Sequence, residues 1–272
     1  MIKVGFIGTG NMGSALARAV AGSGIDIELL LANRTAKKVE ELAADIGNSV
    51  TARVTDNKTI ADNADYIFLG VKPQMMQDML SGIAAVLKDR RDRGEAFVMV
   101  SMAAGLNIER IRELSGGDYS VIRIMPNTPA AIGEGMILYA SEGVADNALR
   151  CFREILSAAG RLTELPENLI DAGSAVSGCG PAFVYMFIEA MADGGVQAGL
   201  PRKQAYELAA QTLIGSARLV MESGKHPGEL KDAVCSPGGT TIEGVRVLEE
   251  GGFRGIVMDA VIAAYKKNSI FK

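Results

Sequence analysis

Short apolar runs alternate with helix-like stretches over roughly the first three-fifths of the chain. Ile2–Ile7, Glu28–Ala32, Tyr66–Val71, Ala96–Ser101 and Val121–Met125 are each dense in Val, Ile, Leu, Phe and Met, the mark of strands buried on both faces. Between them Met12–Ser23, Ala36–Gly47 and Pro73–Asp89 space their apolar residues at helical intervals. Alternation of this kind predicts an α/β fold, a mostly parallel sheet with helices on both faces. Met136–Ala140 and Arg161–Leu165 would extend the sheet, with a helix at Asp146–Ala159 between them.

Beyond about Pro166 the pattern changes and only helical periodicity remains. Pro181 and Pro201 stand at helix starts, where a missing N–H costs nothing. Gly180–Asp193 is apolar nearly all round, so burial on every side is expected, either inside a helical domain or at a subunit interface. Arg254–Lys267 closes the chain with a basic end suited to a helix C-terminus. The predicted domains are therefore 1–165, an α/β unit, and 166–272, all helical.

Composition narrows the partners. A net charge of −4 across 272 residues leaves no basic face for nucleic acid. Three cysteines far apart and one histidine give no metal-ligand cluster, and an odd thiol count fits a reducing, cytoplasmic setting. No signal-peptide h-region is seen, and the most apolar stretch, 182–192, is interrupted by Glu189 and too short for a bilayer, which needs about 20 residues. No membrane association is expected.

The first chemistry lies at Ile7-Gly8-Thr9-Gly10-Asn11-Met12-Gly13, where glycines fill the G-x-G-x-x-G positions between a strand and a helix. Gly8 permits the tight turn, Gly10 lets a pyrophosphate approach the backbone, and Gly13 allows close helix–strand packing, so residues 1–165 are expected to be a Rossmann-type dinucleotide-binding domain. At the end of the second strand, where an NAD site offers a carboxylate, this chain has Asn33 and Arg34. A guanidinium there pairs with a 2′-phosphate, which favours NADPH; the alternative is a solvated charge at a helix start. Val71-Lys72-Pro73 and the small residues Ala103 and Ala104 follow later strands, where the ligand crevice of such sheets opens.

Three further segments are rich in turn residues: 125–129 (Met-Pro-Asn-Thr-Pro), 177–181 (Ser-Gly-Cys-Gly-Pro) and 236–241 (Ser-Pro-Gly-Gly-Thr-Thr). The last precedes the helical run Ile242–Glu250, so its N–H groups either cradle an anion such as a carboxylate or simply cap a turn.

Taken in order, Gly-x-Gly-x-Met, Val-Lys-Pro, Met-Pro-Asn-Thr-Pro, Ser-Gly-x-Gly-Pro-Ala and Ser-Pro-Gly-Gly-Thr-Thr closely resemble the pyrroline-5-carboxylate reductases, from Ile2 to about Asn268. The resemblance implies NADPH-dependent reduction of 1-pyrroline-5-carboxylate to L-proline, with NADH as a second cofactor left open. It implies pyrophosphate contacts at Ile7–Met12, 2′-phosphate contacts at Asn33 and Arg34, and other dinucleotide contacts at Asn57, Val71, Lys72 and Ala104. Substrate contacts would fall at Glu167, Thr240 and Thr241, with the N–H groups of Gly238 and Gly239 nearby and the Thr241 hydroxyl, the catalytic candidate, at the ring nitrogen. It also implies a C-terminal dimerisation domain, a homodimer with each site completed at the domain junction, and leaves open a decamer. Relatives with asparagine at Ala233 and serine or threonine at Cys235 mark where this chain departs.

Missing residues agree with that chemistry. The β-hydroxy acid dehydrogenases, similar in layout, keep a catalytic lysine at the start of the central helix, whereas Ser177–Tyr185 has none. Hydride addition to a protonated imine yields a neutral amine and needs positioning more than a strong acid. His226, followed by Pro227 and Gly228, reads as a helix start rather than a catalyst. The competing expectations are an imine or β-hydroxy acid reductase of other specificity, and a non-catalytic NADPH-binding regulator.

Overall fold

The computed structural model describes residues 1–47 and 49–268. They form two compact units, one of residues 1–178 with the chain end from Tyr265, the other Cys179–Ala264.

In the first unit the described strands are β1 (Ile2–Ile7), β2 (Ile27–Ala32), β3 (Thr51–Val54), β4 (Tyr66–Leu69), β5 (Val98–Ser101), β6 (Val121–Met125), β7 (Gly135–Glu142) and β8 (Gly160–Glu164). They make one sheet in the order β3-β2-β1-β4-β5-β6-β7-β8, parallel throughout except where β7 runs against β6. The helices are α1 (Asn11–Ala21), α2 (Ala36–Ile46), α3 (Asn57–Asn63), α4 (Met76–Asp92), α5 (Ile108–Ser115), α6 (Asp146–Ile155) and α7 (Ile170–Ser177).

Alternation along each strand divides the core between the faces. Val4, Phe6 and Phe68 pack with Leu16, Val39 and Phe152 from α1, α2 and α6. Ile7, Ile67 and Leu69 pack with Ile60, Leu80 and Ile111 from α3, α4 and α5. The expected mostly parallel sheet covered on both faces is present. Both extra strands, β7 and β8, join it as expected.

Three elements lay below the apolar signal. β3 is an edge strand with Thr51, Arg53 and Val54 exposed, so it lacks a buried run. α3 buries only Ile60 and Ala61 and is fixed instead by the Asp56 side chain, which accepts from the N–H groups of Lys58 and Thr59. α5 is short and starts at Asn107, whose side chain accepts from Arg110 N–H. The run 66–71 also ends early as a strand, at Leu69, and Gly70 packs its backbone against Gly8 with its N–H donating to Ile7 O.

The second unit contains α8 (Gly180–Gln197), α9 (Arg202–Ser223), α10 (Pro227–Ala233), α11 (Thr240–Glu250) and, up to Ala264, α12 (Phe253–Asn268). Here the expected all-round burial of 180–193 fails in the single chain. Among the described residues of this unit only Ala192, Ala205 and Ala209 are buried, while Val184, Tyr185, Met186 and Met191 of α8 are exposed. Three alanines are a small core for five helices, and much apolar surface of this unit stands exposed.

Because α7 and α8 abut, the run Glu167–Gln197 is longer than the 182–192 stretch singled out above. By length and composition it could cross a membrane, its most apolar 18 residues having a mean hydropathy of 1.3. Its first part is committed elsewhere: Ile170, Asp171, Ser174 and Ala175 are buried in the sheet unit.

Candidate functional site

The first glycine loop is built by steric exclusion. Gly8 has φ +97, a region closed to most side chains, and a methyl there would stand 2.8 Å from the backbone of Gly70. A Cβ on Gly13 would come 2.5 Å from the Gly8 carbonyl oxygen, and one on Gly70 would come 2.2 Å from the same oxygen. Gly8, Gly13 and Gly70 thus interlock, with Gly8 N–H donating to Ala32 O at 2.8 Å and Gly70 N–H to Ile7 O at 2.8 Å. Gly70 carries no motif signal beyond ending a strand, and sequence reasoning missed it.

Gly10 is different: a Cβ there meets nothing within 4 Å. It is the N-cap of α1, no side chain caps the helix, and the first-turn N–H groups therefore face an open space. Thr9 adds an orphan, since its hydroxyl is buried without a hydrogen-bond partner while Ser14 Oγ donates to its carbonyl at 3.0 Å. An open cradle, free helix-start donors and an unpaired buried hydroxyl fit the pyrophosphate of a dinucleotide.

The sheet order places this loop at a switch point. β1 is flanked by β2 and β4, whose connections run to opposite sides. Asn33 and Arg34 follow β2, and Val71, Lys72 and Pro73 follow β4. Ala103 and Ala104 follow β5, with Met102 N–H donating to Leu69 O. Arg34 and Lys72 are exposed cations with no ion-pair partner among the described residues. Asn57 is the first residue of α3 and is held by the Asp56 cap. Hydrogen bonds from the Thr59 N–H and hydroxyl keep the Asp56 carboxyl below the usual carboxylate range. Ala103 is buried and Ala104 exposed, so the β5 loop offers little but backbone to a ligand.

Glu167 lies on the same unit, in a 3-10 turn ahead of α7. Its Oε1 accepts from Ile108 N–H at 2.7 Å and lies 3.6 Å from Nη1 of Arg123. Arg123 is itself buried in β6, and its Nη2 donates to Asp171 Oδ1 at 2.6 Å. Sequence reasoning missed this group, although an arginine inside the apolar run Val-Ile-Arg-Ile-Met demands a buried partner. The Met-Pro-Asn-Thr-Pro segment also has a defined task. Asn127 Nδ2 donates to Ser177 O at 2.9 Å and its Oδ1 accepts from Met136 N–H at 2.9 Å, clasping α7 to the start of β7.

In the second unit the glycine loop runs directly into α11, which starts at Thr240, two residues earlier than the sequence run suggests. Gly238 has φ +66, and Gly239, the N-cap, would bring a Cβ within 2.4 Å of Ser236 Oγ. No side chain caps α11, so the N–H groups of its first turn, including Thr240 and Thr241, are free. Thr241 is exposed, and its hydroxyl has no partner among the described residues. His226 is the N-cap of α10, its Nδ1 accepting from Gly228 N–H at 3.0 Å, which is the helix-start role expected of it.

Comparison with known proteins covers both units. A family model described as pyrroline-5-carboxylate reductase dimerisation matches residues 167–270, and one described as NADP oxidoreductase, coenzyme F420-dependent, matches residues 3–105. The pyrroline-5-carboxylate reductase of Escherichia coli K12 is 42% identical over 276 residues, spanning 98% of this chain and 97% of its own. The crystal structure of Plasmodium falciparum pyrroline carboxylate reductase with NADP bound superposes with a TM-score of 0.85 at 34% identity, covering 99% of this chain and 98% of that one. The pyrroline-5-carboxylate reductase of Coxiella burnetii superposes at a TM-score of 0.89 with 28% identity, over 99% and 98% of the two chains.

Proposed function

The chain belongs to the pyrroline-5-carboxylate reductase family, and from that premise we propose that it reduces 1-pyrroline-5-carboxylate to L-proline with NADPH. The observation that carries this reading is the full-length match, 42% identity over 98% of the chain. NADPH, when bound, would supply the hydride to the imine carbon of the protonated C=N bond, the carbon that becomes Cδ of proline, leaving the ring nitrogen as an amine.

The chain's own residues bind and orient. Ile7, Gly8, Thr9, Gly10, Asn11 and Met12 hold the pyrophosphate, and Asn33 with Arg34 the 2′-phosphate. Asn57, Val71, Lys72, Pro73, Ala103 and Ala104 line the rest of the dinucleotide. Glu167 and the start of α11 (Gly238, Gly239, Thr240, Thr241) bind substrate, with free N–H groups on its carboxylate. The Thr241 hydroxyl hydrogen-bonds the ring nitrogen. Residues 1–165 thus serve the cofactor, and 166–272 the substrate and assembly.

A steady-state assay with pyrroline-5-carboxylate, comparing NADPH with NADH, tests the reading. Turnover with NADPH is expected; cofactor binding without turnover marks a regulator, and turnover only of a β-hydroxy acid marks a different reductase. In the same assay Arg34→Ala lowers the NADPH over NADH preference by about tenfold, since one charge-assisted phosphate contact is lost. An unchanged cofactor ratio assigns the 2′-phosphate elsewhere.

The assembly we propose is a homodimer, with a decamer of dimers as the higher state to be distinguished by light scattering. Its support is the exposed apolar surface of α8 and the dimerisation model over 167–270. Met186 is 69% exposed on α8, and burying it contributes about 1.5–3 kcal/mol in each of two symmetric copies. Met186→Glu therefore weakens the dimer by roughly a hundredfold or more, read as monomer in light scattering. A dimer of native affinity in that variant would move the interface off α8. A cytoplasmic enzyme free of membrane is the matching cellular reading, because the membrane-length run spends Ile170–Ala175 on the sheet.

A further inference from the structure

Arg123 stands where a hydrophobic residue would pack at less expense. It is in the middle of β6, its side chain 3% exposed, between Ile122 and Ile124, both fully buried. A buried ion pair is weak evidence for stability, because apolar residues of similar volume often replace one at no cost. Stability alone therefore gives no reason for a guanidinium there. Its geometry does.

The two terminal nitrogens reach two carboxylates. Nη2 donates to Asp171 Oδ1 at 2.6 Å, and Nη1 lies 3.6 Å from Glu167 Oε1. Asp171 is also buried, at 8% side-chain exposure, so this contact anchors the guanidinium plane. Glu167 is 29% exposed and would otherwise sample several rotamers. It is instead held from a second side, where Ile108 N–H donates to Oε1 at 2.7 Å. Ile108 opens α5 and follows the β5 loop that carries Ala103 and Ala104. One carboxylate oxygen is thus fixed by groups from β6 and α5, through a guanidinium pinned by α7.

We propose that Arg123 is a positioning residue for the reaction: anchored on Asp171, it sets where the Glu167 carboxylate stands. This rests on the reading above that Glu167 contacts substrate. Lysine cannot do the same work, since a single ammonium does not present two nitrogens in a fixed plane to two carboxylates.

The test separates positioning from stability. Arg123→Met alone takes the cation from the buried Asp171 carboxylate and lowers Tm, so the informative variant is R123M/D171M, which removes both charges together. It is expected to keep a native Tm and an NADPH Kd within about twofold, yet raise KM for pyrroline-5-carboxylate about tenfold or more. E167Q is expected to raise the same KM. Adding R123M/D171M to E167Q should cost less than about twofold further, because both act through one carboxylate.

Where the double variant does not fold, R123K carries the test, with about a fivefold rise in KM at unchanged NADPH affinity. E167Q with native KM and kcat overturns the substrate role of Glu167 and this proposal with it. An impaired E167Q beside a native-like R123M/D171M, or beside a native-like R123K, overturns the positioning role alone. So do losses that multiply when the changes are combined.

Discussion

Gly13→Ala weakens NADPH binding by about tenfold or more, although alanine is the better helix former by about 1 kcal/mol. Gly13 lies in the first turn of α1, so propensity alone predicts a more stable protein. The added Cβ, however, would stand 2.5 Å from the Gly8 carbonyl oxygen, a backbone atom locked in turn by Gly70. Either the helix start or the turn must move, and such overpacking costs about 1–3 kcal/mol. A shift of the helix start also misaims the free N–H groups, and a hydrogen bond to a charged group is worth about 1.5–3 kcal/mol.

Gly10→Ala supplies the contrast. Its Cβ meets no atom of the chain within 4 Å, so without cofactor its Tm should stay native. Binding should still fall, because the methyl fills the space left for the pyrophosphate. Calorimetric Kd values with apo Tm values decide the matter. A raised Tm with native Kd in Gly13→Ala would remove the interlock argument, and a native Kd in Gly10→Ala would move the pyrophosphate off this turn.

What was legible in the sequence follows from how many constraints each residue obeys. The β1 strand and its turn are overdetermined: Val4 and Phe6 face one core, Ile7 the other, and Gly8 and Gly13 sit where no side chain fits. Pattern and motif agree there. β3 left no trace because an exposed edge strand needs no apolar run. Gly70 was hidden because its constraint is a contact with Gly8, sixty-two positions away, and sequence spacing carries no such distance. Arg123 was readable as an anomaly, a charge inside a buried strand, but not its partners, since Glu167 and Asp171 reach it only through the fold. For α8 the apolar pattern left two readings open, the core of a helical domain or a subunit interface. Its own unit does not supply the first, since only three alanines are buried there among the described residues.

The largest effect on chemistry is expected at Thr241. Thr241→Ala should lower kcat by about a hundredfold, the usual cost of removing one positioned donor, with NADPH Kd within about twofold. Ser177–Tyr185 contains no lysine, and the one histidine, His226, spends Nδ1 on the Gly228 N–H at the start of α10. Thr241 instead is the second residue of α11, exposed, on a helix that no side chain caps. Alanine favours the helix, so lost activity could not be blamed on a melted α11. Thr241→Ser keeps the hydroxyl but loses the β-branch that restricts its rotamer, and should retain activity within several-fold of native. Thr240→Ala leaves the N–H groups of the turn in place and should act mainly on KM for the carboxylate substrate. Single-turnover measurement at saturating cofactor separates these cases. Native kcat in Thr241→Ala, or equal loss in the alanine and serine variants, would take the hydroxyl out of the reaction and leave Thr241 as backbone alone.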